Sequence, residues 1–390
     1  ECQKDIWRMV NELLNHWAHM LGYENFDLIK ETAYCFLDEV QAVENWAGLL
    51  KNRIERNPRV HIVLSGSAAH SIFKKSLETL MGRVISESLT PFSFREYFEC
   101  QLKGSLVKEN LRHEIQAHFE RDLSPSQLYI SLYEYARQFQ PERMQGYLQS
   151  YLKQGGFPQL WGVDAGGLIE KAHMIDENYV KKVTLEDLML LRKIRKPELF
   201  ERLLRHLFAR PGQEYNQQKV ASDLGTTVIT LADAMGLLQQ TDLLIFVEKF
   251  SGKAEPLKRK NIKVYPVDLA LTFAMTKIVP SLTNDEAKGA IAESIVAQTI
   301  SRLHGISNIA FMQTQTFSEQ GEIDFYIRSD TRDCPIEVKY RSKFRPGDTY
   351  FMEKIITEKK LNGGLVITPN EWGQVRSLSF IPLWAFALVS

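Results

Sequence analysis

The chain has 390 residues, of which 44% are hydrophobic and 25% are charged, a composition typical of a globular protein too long for one ordinary domain. Its 48 Lys and Arg residues balance its 48 Asp and Glu residues, so no overall positive field exists to hold nucleic acid non-specifically. No stretch has the ~20 apolar residues that cross a bilayer, and the four cysteines lack paired spacing. We expect a cytoplasmic protein of several domains.

The first predicted elements alternate between helices and buried strands. Apolar residues at helical spacing cover residues 6–21, and Tyr34–Leu37 then forms a short apolar strand. A second helix around residues 46–54 is followed by the strand Val60–Leu64. This alternation predicts a parallel sheet that is covered on both faces.

Polar side chains follow both of these strands at their carboxyl ends, where open α/β sheets bind ligands. Asp38 and Glu39 resemble a Walker B pair, in which Asp38 holds the Mg²⁺ of Mg-ATP and Glu39 orients the attacking water. Ser65 is positioned to contact the γ-phosphate, and Arg83 is a candidate for neutralising phosphate charge. The simpler alternatives are that Asp38 and Glu39 cap a helix and that Arg83 is a solvated surface residue.

The middle of the chain is predicted to be helical and then to change character. Residues 92–195 have an almost wholly helical pattern, which indicates a lid and connector. Between Pro197 and Asp268, three short helices precede two strands at 243–247 and 262–267, the order of a winged helix.

The predicted winged helix lacks the basic residues of a typical DNA reader. No Lys or Arg occurs from Val220 through Glu248, and the candidate recognition helix offers Thr226, Thr227, Thr230 and Asp233 instead. Basic residues instead lie on the approach to the wing, at Lys253, Lys258, Arg259, Lys260 and Lys263. The wing either contacts a nucleic-acid backbone or belongs to an interdomain packing module, and we favour the second alternative.

The last segment predicts a further α/β domain. Its pattern gives a helix at 286–303, strands at 323–327 and 336–340, a helix at 351–360, and strands at 365–368 and 383–389.

Two of these strands carry residues suited to metal-dependent phosphodiester chemistry. Asp324 lies on one strand, and alternation places Glu337 and Lys339 on one face of the next. Asp324 and Glu337 could share one or two Mg²⁺ ions, while Lys339 positions a water and stabilises developing charge. The alternative is a polar cluster retained in a fold that serves for docking.

Several stretches of the chain resemble one family, the prokaryotic ATP-binding proteins in which an AAA domain is joined to a conserved C-terminal domain of uncharacterised function. The matching stretches are 36–41 with Trp46 downstream, 62–67, 82–83, 89–96 and 155–158. The resemblance implies ATP binding through a Walker A loop, but no stretch has the form G-x-x-x-x-G-K-[ST]. Because that loop would precede the Walker B strand and the chain does not begin with Met, we expect a truncated sequence that binds ATP weakly or not at all by itself.

The C-terminal pattern resembles the PD-(D/E)XK nuclease superfamily, whose related folds place a further acidic ligand on the preceding helix. In this sequence that position is Glu293. The resemblance implies that Glu293, Asp324 and Glu337 are metal ligands and that Lys339 is catalytic.

These observations predict an α/β multidomain architecture. We expect a truncated P-loop AAA-class ATPase core at 1–100, a helical lid and connector at 101–195, a winged helix at 196–268 and a restriction-endonuclease-like domain at 269–390.

The leading hypothesis is an ATPase whose nucleotide state controls a nuclease-like domain that engages DNA, with ATP and Mg²⁺ as cofactors. The alternatives are a nucleotide-dependent interaction protein whose docking domain is silent and binds a protein partner, and a metal-dependent nuclease that works without ATP. AAA-type ATPases often act as oligomers, so oligomerisation is compatible with each of them.

Overall fold

A computed structural model of the chain divides into two compact units. The first unit comprises residues 1–89, 182–197 and 240–242, and the second comprises 90–181, 198–239 and 243–390. The structure describes residues 2–40, 46–66, 80, 82–85, 87, 89–102, 124–162, 165–187, 197–250, 262–283, 287–303, 308–316, 319–328, 333–341, 347 and 349–390.

The first unit is a small α/β arrangement around two parallel strands. Its elements are helix α1 (Cys2–Met20), a 3₁₀ turn (Phe26–Leu28), strand β1 (Ala33–Leu37), helix α2 (Trp46–Arg56) and strand β2 (Val60–Leu64). The strands pair in parallel from Ala33↔Val60 to Leu37↔Leu64, as the sequence pattern predicts.

Only one face of this two-stranded sheet is covered in the described structure. Cys35 and Val60 are buried together with apolar residues of α1 and α2. On the opposite face, Tyr34 and Phe36 are 60% and 74% exposed. The prediction of a sheet covered on both faces is therefore wrong for the part of this unit that the structure describes.

Helices dominate the first part of the second unit and the segment that links it to the first. They are α3 (Phe94–Gln101), α4 (Pro125–Ala136), α5 (Pro141–Gln154), a 3₁₀ turn (Pro158–Leu160), α6 (Ala165–Ile175) with a π-helical continuation (Asp176–Asp187), α7 (Pro197–Phe208), α8 (Gln217–Asp223) and α9 (Val228–Leu238). The predicted helical character of residues 92–195 is confirmed where the structure describes them, which leaves out 103–123, 163–164 and 188–196, and the three short helices after this segment are confirmed as secondary structure.

An eight-stranded sheet forms the centre of the second unit. Its strands are β3 (Leu244–Lys249), β4 (Ile262–Pro266), β5 (Asn308–Thr316), β6 (Glu319–Arg328), β7 (Asp333–Val338), β8 (Gly364–Thr368), β9 (Gly373–Val375) and β10 (Leu378–Pro382). Their order across the sheet is β4-β3-β5-β6-β7-β8-β10-β9. Strands β5, β6 and β7 pair antiparallel, while β7, β8 and β10 pair in parallel.

Helices cover both faces of this sheet. They include α10 (Leu269–Thr276), α11 (Lys288–Ser301), α12 (Tyr350–Lys359) and α13 (Leu383–Phe386). Leu365 and Ile367 of β8 pack in the same core as α11, whereas Val366 packs in the core that contains α12. Successive residues of β8 thus face opposite sides of the sheet, and because both sides are buried this strand is apolar from Gly364 to Ile367.

Two elements of this unit differ from the sequence prediction. Residues 383–389 were expected to form a strand, but Leu383–Phe386 is a short helix that follows Pro382. An apolar run of this length is compatible with a buried strand or a buried helix, so its pattern could not decide. The strands predicted for the wing are present, but β3 also pairs in parallel with β5 and thereby belongs to the large sheet.

A glycine pair connects the helical part of the second unit to α10. Gly156 N donates a 2.7 Å hydrogen bond to Asp268, which caps α10, and Phe92 N donates a 2.9 Å bond to Gly156 O. Gly155 has φ of +66°, and a Cβ at this position would overlap the Asp268 carboxylate. The stretch 155–158 therefore has a structural role at a close backbone approach.

Among the described residues, no helix combines the length and the apolar character that a membrane crossing requires.

Candidate functional site

The first candidate site lies in the first unit, at the carboxyl ends of β1 and β2. Asp38 directly follows β1 and Ser65 directly follows β2. Ser65 Oγ donates a hydrogen bond to Asp38 Oδ1, and Glu39 N donates a 3.0 Å bond to the same oxygen. The structure thus brings together the acidic and hydroxyl side chains that the sequence placed at neighbouring strand ends.

The surroundings of Asp38 favour its ionised form. The hydrogen bond from Ser65 is the largest cause that lowers the Asp38 pKa, followed by the Glu39 amide and by the positive charge of Lys182. An exposed, ionised carboxylate at a strand end is a suitable ligand for Mg²⁺.

Glu39 has an unusual backbone conformation next to this carboxylate. Its φ is 53°, in the left-handed region that non-glycine residues seldom occupy. Lys182 Nζ lies 3.2 Å from Glu39 Oε1. Such conformations cluster at functional positions, which supports a role for this strand end. Lys182 comes from the distant π-helical segment, so no local sequence pattern could have linked it to Glu39.

Arg83 pairs with a glutamate of α2. Its Nη2 atom lies 2.8 Å from Glu55 Oε1, and both side chains are partly exposed. The predicted role of Arg83 at the phosphates therefore stays a prediction. Ser67, which belongs to the stretch that follows β2, lies outside the described residues.

The second candidate site lies in the second unit, where β6 and β7 diverge. The two strands pair from Arg328↔Asp333 to Phe325↔Ile336. Beyond this point a side chain of β6 connects the two strands. Val338 N donates a 2.8 Å hydrogen bond to Asp324 Oδ2, and Lys339 forms an ion pair with Glu337 Oε1. This ion pair agrees with the prediction that Glu337 and Lys339 share one face of the strand, while their roles stay predictions.

A bulge in β6 includes Asp324. Met312 pairs with Ile323 and Ala310 with Tyr326, so two residues of β6, Asp324 and Phe325, lie opposite the single Phe311 of β5. Bulges re-aim side chains and are common next to active sites.

Two carboxyl groups of this site, those of Glu293 and Glu337, have raised pKa values. Burial first, and the neighbouring Asp324 carboxylate second, raise the pKa of Glu293 to about 8 and that of Glu337 to about 8. Glu337 is only 4% exposed, and its Oε2 atom has no hydrogen-bond partner among the described residues.

Three residues of this site were not identified as members from the sequence. Lys263 of β4 reaches Glu322 and Asp324 of β6, and its neighbour Tyr265 donates a 3.0 Å hydrogen bond to Glu293 Oε2. Lys263 appeared in the sequence only as one of several basic residues near the wing. The signal that could have identified it is a lysine inside an apolar strand, two residues before a tyrosine that shares its face.

We call Glu293, Glu322, Asp324 and Glu337 the acidic cluster. A lysine already contacts or approaches each of its members: Lys263 lies within 4.0 Å of the first three, and Lys339 pairs with Glu337. A different group of potential metal ligands, His173, Asp176 and Glu177, has ligand atoms that all lie within 4.8 Å of one another. Among the described residues, the acidic cluster does not meet this criterion. The acidic cluster is therefore arranged around ammonium groups, and it does not fit a preformed metal cage.

Three segments of the chain match known family models. Residues 7–98 match an AAA domain, residues 145–282 match the domain of unknown function DUF8612, and residues 288–386 match the domain of unknown function DUF4143. The first match connects residues 7–98, which include both strands and Asp38, with the nucleotide-binding AAA class.

The relatives and the similar structure give no further function. An uncharacterized protein of Methanocaldococcus jannaschii is 23% identical over 384 residues, which cover 92% of this chain and 76% of that protein. An uncharacterized protein of Haemophilus influenzae is 21% identical over 247 residues, which cover 62% of this chain and 52% of that protein. A crystal structure of a Vibrio cholerae protein covers 98% of this chain and 93% of its own at 14% identity, but its TM-score of 0.21 carries no argument.

Proposed function

We propose that this chain is part of an AAA-class ATPase that binds and hydrolyses Mg-ATP at the carboxyl ends of β1 and β2. The observation that carries the proposal is the hydrogen bond between Ser65 and Asp38, which joins a hydroxyl and an ionised carboxylate at adjacent parallel strand ends. The match of residues 7–98 to an AAA domain supports the same assignment.

Each residue of this site has a proposed role. Asp38 would hold Mg²⁺, Ser65 would contact the γ-phosphate, and Glu39 would orient a water molecule. When bound, Mg²⁺ supplies charge neutralisation at the phosphates. Arg83 would add positive charge there after leaving Glu55, with which it now pairs.

The test compares nucleotide binding and hydrolysis in Asp38→Asn, Glu39→Gln and the control Glu31→Gln. It uses this chain and the chain extended by any coding sequence upstream of residue 1. We expect Asp38→Asn to lose Mg²⁺-dependent ATP binding, and Glu39→Gln to keep binding while hydrolysis falls by about 10²–10⁴-fold. Glu31 is an exposed carboxylate that precedes β1 at its amino end, opposite the carboxyl ends that form the proposed site, so its variant should behave as wild type. Wild-type turnover in Asp38→Asn would contradict the proposal.

For the second unit we propose a nuclease-like fold. Helix α11, the antiparallel strands β5, β6 and β7, helix α12, and then β8 parallel to β7 follow one another in the order expected for that superfamily. Asp324 on the second of these strands and Glu337 with Lys339 at the third support the assignment. The three helices α7–α9 with the β3–β4 hairpin would form the winged helix, attached through β3 to the large sheet.

The proposed role of this domain is docking under the control of the nucleotide state, and the rival role is DNA cleavage. Docking is favoured because lysines already accompany the acidic cluster and because no Lys or Arg occurs from Val220 through Glu248. The test incubates linear, circular and single-stranded DNA with Mg²⁺ or Mn²⁺, with and without ATP. Cleavage that is lost in both Asp324→Ala and Lys339→Ala would establish the nuclease, and its absence in a protein that hydrolyses ATP supports docking.

A further inference from the structure

Lys263 is a buried charged residue at the centre of the second candidate site. It is 5% exposed, and its Nζ atom lies 2.6 Å from Glu322 Oε1, 3.8 Å from Asp324 Oδ1 and 4.0 Å from Glu293 Oε2. Three carboxylates from one helix and one strand thus surround a single nitrogen. A position that three carboxylates surround is a cation site, and its occupant in this structure is an ammonium group.

The surroundings of Lys263 are built for this cation. Its Nζ atom lies 5.3 Å from the centroid of the Phe311 ring, which adds a cation–π contact. Tyr265 shares the face of β4 with Lys263 and holds Glu293 in place through its hydroxyl group. Gly212 closes the other side of Glu293, since a Cβ there would approach Glu293 Oε2 to 2.8 Å.

We propose that Lys263 is an internal counter-ion that occupies the cation position between Glu293, Glu322 and Asp324 and closes the acidic cluster to divalent metal ions. The inference rests on the nuclease-like fold proposed above, because that fold is what predicts metal ligands at Glu293 and Asp324. Lys263 belongs to β4, so the β3–β4 hairpin supplies the positive charge that keeps divalent metal ions out of the acidic cluster.

Lys263 excludes divalent metal ions for an electrostatic reason and a steric reason. An ammonium group within 4.0 Å of all three carboxylates repels a divalent ion from the same place, because the local dielectric is low. Mg²⁺ also requires oxygen ligands at about 2.0–2.1 Å, which the intervening ammonium group prevents. Removing the ammonium group while keeping the length of the side chain would leave three carboxylates with no cation between them.

The experiment measures Mn²⁺ binding to the whole chain by electron paramagnetic resonance. Every protein carries Asp38→Asn, so that the first candidate site does not contribute. The series comprises this background alone and the background with Lys263→Met, Lys263→Arg, Asp324→Asn, or Lys263→Met combined with Asp324→Asn. Lys249→Met is the matched control, because Lys249 belongs to the same hairpin and pairs with Gln313 outside the acidic cluster.

We expect Lys263→Met to gain a Mn²⁺ site with affinity at least about tenfold higher than that of the background, and to lose it again when Asp324→Asn is added. Lys263→Arg and Lys249→Met should bind Mn²⁺ as the background does. If Lys263→Met binds no additional Mn²⁺ while amide exchange shows its sheet intact, the proposal fails.

A second measurement does not depend on the folding of the lysine variants. In the background protein, Asp324→Asn should leave Mn²⁺ binding unchanged, and a loss of binding would overturn the proposal. The DNA cleavage assay separates this inference from the fold on which it rests. DNA cleavage by wild type that requires Mg²⁺ and Asp324 would support a nuclease and refute the proposal that Lys263 is an internal counter-ion. Mn²⁺ binding by Lys263→Met without DNA cleavage would support the cation site but not nuclease activity.

Discussion

The carboxylates of the two compact units differ in exposure and in the groups that hold them. In the first unit, Asp38 lies at an open strand end and accepts hydrogen bonds from a hydroxyl and an amide. In the second unit, Asp324 is 8% exposed and its oxygens face the Val338 amide and the Lys263 ammonium group. A buried carboxylate needs partners to offset desolvation, and those partners occupy the space that a ligand would use.

The same difference extends to the sheets that carry these residues. Strand β1 leaves Tyr34 and Phe36 exposed, whereas every residue of β8 is buried. In the first unit, Asp38 and Glu39 are exposed at the carboxyl end of β1, where we propose that Mg-ATP binds. In the second unit, Asp324 and Glu337 are buried and Lys339 is half-buried, and the resemblance of their pattern to a nuclease does not make them accessible to a substrate.

The largest expected effect tests the claim that Asp324 is held by buried partners. Asp324→Ala leaves the Lys263 ammonium group and the Val338 amide without this carboxylate, which should cost about 3–5 kcal/mol of stability in β6 and β7. Amide hydrogen exchange of peptides from these strands measures the loss. Asp38→Ala is the comparison from the first unit, and it should leave exchange in β1 unchanged because its side chain is exposed. Equal changes of amide exchange in Asp324→Ala and Asp38→Ala would contradict the claim that buried partners hold Asp324 but not Asp38.

The next effect concerns a second buried carboxylate, Asp268, and the glycine that approaches it. Gly155→Ala places a Cβ against the Asp268 carboxylate at a backbone conformation that favours glycine, with an expected cost of about 2–3 kcal/mol in the second unit. Gly162→Ala is the matched control, because Gly162 also has a positive φ but has open space around its Cα. Urea unfolding followed by exchange in α5 and α10 should show a larger loss for Gly155→Ala than for Gly162→Ala.

Local patterns predicted most of the elements on which these comparisons depend. Strand Val60–Leu64 was predicted with its observed bounds, because Asn57-Pro58 and Ser65-Gly66 bracket an apolar run. Strand Asn308–Thr316 was missed, since its Asn, Gln and Thr residues and its irregular pairing with β6 weaken the alternation. The apolar run 383–389 favours a strand, but Leu383–Phe386 is a helix, because a run without polar residues has no periodicity that separates the two structures.

The candidate sites were predictable to the extent that they depend on strand ends and alternation. Asp38 with Ser65, and Glu337 with Lys339, are pairs of this kind. Lys263 could not be assigned to the acidic cluster, because its partners Glu322 and Asp324 lie far along the chain on β6, and β3 and β5 stand between β4 and β6 in the sheet. The metal ligands expected at Glu293, Asp324 and Glu337 stay a prediction that our counter-ion proposal opposes.

A smaller effect is expected in the pH dependence of stability. Burial raises the pKa of Asp268 above its ordinary value of 3.8, although the amides of Ala270 and Gly156 partly oppose the shift. A carboxyl group with a raised pKa in the folded state stabilises the fold most at low pH, and this contribution is lost as the pH rises through the folded-state pKa. The free energy of unfolding of wild type should therefore decrease relative to that of Asp268→Asn as the pH rises from 3.8. Asp233→Asn removes the same charge from an exposed position of α9 and controls for net charge.

The smallest effect returns to the exposed site and concerns one hydrogen bond. Because Ser65 is the largest cause of the lowered Asp38 pKa, Ser65→Ala should raise that pKa toward the ordinary carboxyl value. Lys182→Met removes a weaker cause, the nearby positive charge, and should raise the Asp38 pKa by less. Titration of the Asp38 side-chain carbon by NMR measures both shifts. A larger pKa shift in Lys182→Met than in Ser65→Ala would mean that the charge of Lys182 lowers the Asp38 pKa more than the Ser65 hydroxyl group does. The hydrogen bond between Ser65 and Asp38 would then give less support to the ATPase proposal.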